Sequence, residues 1–184
     1  MSALLIVLGI AAVLVLWFVS VYNGLVRLRN QVDNAWAQID VQLKRRHDLI
    51  PNLLNTVKGY MAHERETLEA IVKARTAAMA AKGPAEAGPA EAQLAGALRG
   101  LMVNVERYPD LKASANFLAL QEELASTENK ISFARQYYND TVTNYNTAIA
   151  LFPANIFAGI FHFTSVELWR IEDSAERSVP KVSF

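Results

Sequence analysis

Leu25, Leu28, Val32, Trp36, Ile39, Leu43, Ile50, Leu54, Val57, Met61, Leu68 and Val72 recur every three or four residues, the spacing that stacks side chains on one face of an α-helix. The pattern predicts one amphipathic helix of unusual length, stopping near Lys82-Gly83-Pro84, a terminal glycine followed by a proline. Its period is nearer 3.6 than 3.5 residues, which favours packing in a bundle of its own chain over a supercoiled dimer seam. Pro51 lies inside this pattern and removes one backbone donor, with its ring against the carbonyl of His47. Because the apolar stripe continues in phase on both sides, a kink is expected there and not an end. Two places on the stripe are polar where they should be apolar: Arg46/His47 and Glu64/Arg65.

Upstream, Ala3 to Val19 is an uninterrupted apolar run which, extended to Tyr22, reaches roughly the 20 residues that cross a bilayer core. A cleaved signal peptide would want a basic residue before the run and small residues closing it. Instead Trp17, Phe18 and Tyr22 form an aromatic belt at its exit. Arg27 and Arg29 follow, and no Lys or Arg precedes, so the positive-inside rule places the short N-terminus outside and the rest in the cytoplasm.

Downstream, GPAEA occurs twice between Gly83 and Ala92, and residues 83–89 read as a low-complexity hinge. A second helix is expected from about Ala90 to Tyr108, with Leu94, Leu98, Leu101, Val105 and Tyr108 on one face. Pro109 interrupts it. A third, long helix follows from Leu111 to Phe152, carrying Phe117, Leu120, Leu124, Ile131, Tyr138, Val142, Tyr145, Ile149 and Phe152, and Pro153 ends it. Asn155 to Phe163 suggests a short fourth helix, Ser165 to Glu176 another turn or two, and Ser178 to Phe184 an extended tail. The fold class is therefore all-α: residues 1–24 form a transmembrane anchor, and residues 25–184 form an antiparallel up-and-down bundle dominated by two long helices.

Two stretches also resemble a known family. RRHDLIPNLLNTVKGYMAHE (Arg45 to Glu64) and ARQYYNDTVTNYNTAIALFPANIFAGIFHF (Ala134 to Phe163), with the closing PKVSF, are similar to the signature of the bacterial LemA family. The resemblance implies a single anchor in the bacterial plasma membrane followed by an up-and-down helical bundle. It implies no established activity.

Composition narrows the function classes. Eighteen basic and eighteen acidic residues cancel, so no global field draws the chain to nucleic acid. The absence of cysteine excludes disulfides, thiolate metal sites, thiol catalysis and a lipid-modified cysteine. His47, His63 and His162 have no zinc-protease spacing, the glycines lack the lysine and hydroxyl of a phosphate loop, and no nucleophilic serine motif appears. No catalytic, cofactor-binding or metal residue is assigned.

Two sets of residues stand out. Arg46, on the apolar face of the first helix, requires a partner because an unpaired buried charge is costly. Asn139, Asp140 and Asn144 of the third helix are the expected partners, as a polar layer setting register or as the lining of a ligand pocket. The second set is Phe152, Ile156, Phe157, Ile160, Phe161 and Phe163, in a segment too apolar to lie free in water and too short to cross a bilayer. If the first helix rises unbroken to Lys82 and the next two run down and up, this segment ends far from the membrane, covered by the bundle or a neighbouring copy. A single descending arm would instead bring it to the membrane interface. The first arrangement is the expectation. The chain reads as a non-enzymatic, membrane-anchored and homo-oligomeric scaffold or assembly subunit. The alternative is an adaptor bundle that binds a partner membrane protein, such as a protease or its substrates.

Overall fold

The computed structural model describes residues 2–61 and 63–170, and in these it contains six helices and no strand. They are α1 (Ser2–Lys58), α2 (Arg65–Ala80), α3 (Gly83–Val105), α4 (Pro109–Lys112), α5 (Ala115–Ala150) and α6 (Ala154–Ile160). The described residues divide into two compact units, one within 2–38 and 136–168, the other within 39–135 with 169–170. Both long helices contribute to each.

In the second unit four helices alternate in direction. Arg75 of α2 reaches back to His47 of α1, Asn104 of α3 to Thr67 of α2, and Glu128 of α5 to Arg46 of α1. Their apolar faces meet in one core that includes Ile50, Leu53, Val57, Ile71, Leu94, Leu101 and Phe117. Pro51 lies within α1 as expected. The His47 carbonyl, which Pro51 cannot satisfy, accepts a hydrogen bond from Arg75 Nε at 2.8 Å. A side chain from the next helix thus replaces the missing backbone donor.

The long first helix does not reach Lys82. It breaks after Lys58, where the amides of Tyr60 and Met61 both bond the Val57 carbonyl and Met61 is fully buried against the core. The second polar interruption is the reason. Glu64 accepts hydrogen bonds from Arg107 and Tyr108 near the end of α3, so its carboxylate serves a turn and not a helix face. Beyond the break the stripe slips by one residue: Ile71 is fully buried whereas Val72 is half exposed.

The expected hinge at residues 83–89 is the start of α3. Gly83 takes φ +70° at the turn, Pro84 occupies the first helical turn where it costs no hydrogen bond, and Glu86 accepts the Lys82 amide at 2.8 Å. Low complexity here is helix-initiation chemistry. The long third helix is α5, with the four-residue α4 split off before it, and α6 is the expected short fourth helix.

In the first unit, Leu25, Val32 and Ala35 of α1 are buried with Tyr138, Val142 and Tyr145 of α5, and Trp36 meets Tyr138 edge-on at 5.6 Å. The extra helical turns expected within 165–176 are absent from the part described: residues 163–170 are non-helical. Asn146 explains this by pairing with both backbone groups of Val166, at 2.8 and 2.9 Å, while Tyr145 and Tyr138 donate to the carbonyls of Thr164 and Glu167. The strand-like strap finds its hydrogen bonds on α5 and has no need of a helix. The SVPKVSF tail lies outside the described residues.

Candidate functional site

The second unit buries a cluster of charge. Arg46 and His47 of α1 are 2% and 7% exposed and Glu91 of α3 is 4% exposed, depths at which ionisable groups must be paired. Arg46 is forked between two carboxylates, Nη2 to Glu91 and Nη1 to Glu128 of α5. His47 Nε2 lies 2.8 Å from the other Glu91 oxygen. Burial by itself pushes the Glu91 carboxyl up, and this is the largest single influence. His47, first through its hydrogen bond, and Arg46, first through its charge, together outweigh it and hold the group below its ordinary value. Glu91 is therefore ionised at neutral pH, its carboxylate clasped by two donors and its charge paired with that of Arg46.

Asn139, Asp140 and Asn144 are not the partners that Arg46 takes. Glu128 already fills that role from α5, and Asp140, twelve residues on, lies about 18 Å further along the same helix. Asp140 and Asn144 are solvent-exposed and Asn139 is half-buried. The signal that identifies the true partner is in the sequence: Glu91 precedes Leu94, Leu98, Leu101 and Val105 in the phase of their apolar stripe. It is thus an acidic counterpart of the basic intrusion at Arg46.

Beside the cluster is a cavity of about 240 Å³ lined by Arg46, Gly88, Glu91, Arg99, Glu128 and Trp169. Gly88 is what admits its outer wall, since a Cβ there would meet the Arg170 carbonyl at 2.6 Å and the Trp169 ring at 3.4 Å. The chemistry on its walls is ion pairing and hydrogen bonding. Among the described residues no group of three or more His, Asp or Glu could hold a metal ion.

The first unit carries the second candidate surface. Residues Leu4 to Val19 of α1 are apolar and exposed, and this helix is long and apolar enough to cross a membrane. At its exit Phe157 of α6 lies edge-on to Trp17 and Phe18, at 5.6 and 5.0 Å. Phe161 meets Phe18 and Tyr22, and Phe163 meets Tyr22. This overturns the expectation that residues 152–163 end far from the apolar helix. Within this unit α5 runs antiparallel to α1, from Tyr138 beside Trp36 to Tyr145 beside Arg29, which returns the segment after it to the apolar run. Phe157 and Ala158 are buried, whereas Phe152, Ile156 and Ile160 stay more than half exposed.

Residues 35–184 match the model of the LemA family. Among curated proteins the chain is similar to Protein LemA of Metamycoplasma hominis, 28% identical over 82% of this chain and 69% of that protein. It is also similar to the magnetosome protein MamQ of Magnetospirillum gryphiswaldense, 22% identical over 86% of this chain and 68% of that protein. With the family model matched over most of its length, including the Arg46 and Glu91 helices and the aromatic segment, this chain belongs to the LemA family.

Proposed function

We propose that the protein is a non-enzymatic scaffold or assembly subunit, anchored in the bacterial plasma membrane by residues 3–22 and built from several copies of itself. The observation that carries this reading is apolar surface that the second unit leaves uncovered. Phe133 of α5 is 73% exposed and Val41 of α1 is 62% exposed. The Arg46–Glu128 pair sets the antiparallel register, which puts residue 41 level with residue 133. Large apolar side chains at one level of two adjacent helices suit contact with another copy. The buried charge cluster supports a structural role, because its acid and base are spent on each other. The relatives bring no reaction with them, one bearing only the family's name and the other that of a magnetosome protein. Arg27 and Arg29 just past the apolar run support an N-terminus outside and a bundle in the cytoplasm.

Light scattering coupled to size exclusion on the full chain in detergent tests the assembly. A closed homo-oligomer is expected, and Phe133→Asp should reduce it to smaller species with unchanged helicity. A monomer in the unsubstituted protein would overturn the scaffold and favour an adaptor that assembles only with a partner.

A further inference from the structure

We propose that α6 and its flanks lie in the membrane interface as a second foot, their exposed stripe facing the acyl chains of the leaflet from which α1 emerges. The inference rests on the reading of α1 as a membrane span. Ile156 and Ile160 are 52% and 60% exposed and lie one turn apart on one face of α6, and Phe152, in the turn just before the helix, is 79% exposed. The adjoining face, Phe157 and Phe161, is stapled to Trp17, Phe18 and Tyr22 by ring contacts between 4.8 and 5.9 Å. Asn155, Gly159 and His162 supply the polar and small remainder. No charged side chain occurs from Leu151 to Phe163, so nothing in the segment resists entry into the boundary between headgroups and acyl chains.

Its level selects the occupant. The stapling residues are the last turn of the apolar run and the tyrosine after it, the positions at which a spanning helix passes from acyl chains to headgroups. On the same turns of α1, Val13 to Phe18 remain exposed and require lipid. Because Phe157 and Phe161 hold α6 against these same turns, the acyl chains that cover this part of α1 are within reach of its exposed residues. Two elements at the boundary would fix the depth of the anchor more firmly than one helix free to slide.

The chain has no cysteine, so single labels can be placed in the full-length protein without removing any. Phe152→Cys, Ile156→Cys and Ile160→Cys would each carry a nitroxide in vesicles of phosphatidylethanolamine and phosphatidylglycerol, with Leu8→Cys marking the span and Gln121→Cys, at an exposed polar position of the second unit, marking water. Accessibility to oxygen and to a water-soluble nickel chelate is then compared by spin resonance. Labels at the three α6 positions should favour oxygen and report a depth of about 5–10 Å, shallower than the label at residue 8. Chelate access at residues 156 and 160 equal to that at residue 121 would overturn the proposal. So would protection from both reagents, the signature of cover by a second copy. Chelate access at residue 8 would instead remove the membrane span itself. Circular dichroism of each labelled protein, compared with the unlabelled chain, separates a local exposure change from loss of fold.

Discussion

The hydrogen bond from Arg75 to the His47 carbonyl makes a prediction that turns on a residue neither of them contains. Pro51 sits four residues after His47 and has no N–H, so the carbonyl would otherwise be left without its helical donor in a half-buried setting. Arg75 Nε fills that place at 2.8 Å. Hydrogen bonds from charged donors contribute about 1.5–3 kcal/mol, and the partial exposure of Arg75 puts this one near the lower end, about 1.5 kcal/mol. Arg75→Met keeps the packing of the stem and should cost that amount. In a Pro51→Ala background the new amide reaches the carbonyl itself, and losing Arg75 should cost less than about 0.5 kcal/mol, because only a second acceptor site is vacated. The coupling is then about 1 kcal/mol, outside the roughly 0.3–0.5 kcal/mol within which independent sites add. Urea unfolding of the four full-length proteins in detergent measures it, with equal slopes required before midpoints are converted to energies. Equal costs for Arg75→Met in the proline and alanine backgrounds would refute the donor-replacement argument. The intrinsic effect of Pro51→Ala cancels from the comparison.

Arg46→Ala should destabilise by about 3–5 kcal/mol, by stranding Glu91 at 4% exposure, and Arg46→Lys should recover only part because one ammonium cannot reach two carboxylates as a fork does; thermal melts measure both. Because Glu91 titrates below its ordinary value of 4.5, its contribution is present above that pH and is lost as pH falls through the lower folded value. The acid limb of the stability curve should accordingly be shallower in Glu91→Gln. Gly88→Ala forces a Cβ against the Arg170 carbonyl and should destabilise, whereas Gly96→Ala, in open space on the same helix, should stabilise by up to about 1 kcal/mol in the same melts. A cysteine at Ser2 should react with an impermeant thiol reagent on intact cells and one at Ser183 should not; the reverse pattern would invert the topology.

Much of this molecule is local information. The apolar run, the helical period of both long helices, the stop at Pro153 and the passage of α1 through Pro51 follow from side-chain spacing and backbone chemistry within a few turns, which a sequence states directly. That Arg46 needs a buried partner is also local, since its place on an apolar stripe is enough. Which residue answers is not. Helices present charged side chains at every turn, and the choice of Glu91 and Glu128 over Asp140 follows from how many passes the chain makes before α5 runs beside α1. That number depended on the break after Lys58, where a polar interruption became a turn once Arg107 and Tyr108 were there to receive Glu64. The place of Phe157 at the aromatic exit of the apolar helix likewise rests on ring contacts between residues far apart in the chain. Spacing fixes which face of a helix is apolar; the partner of that face is set by direction, and direction is decided by contacts between residues more than forty positions apart.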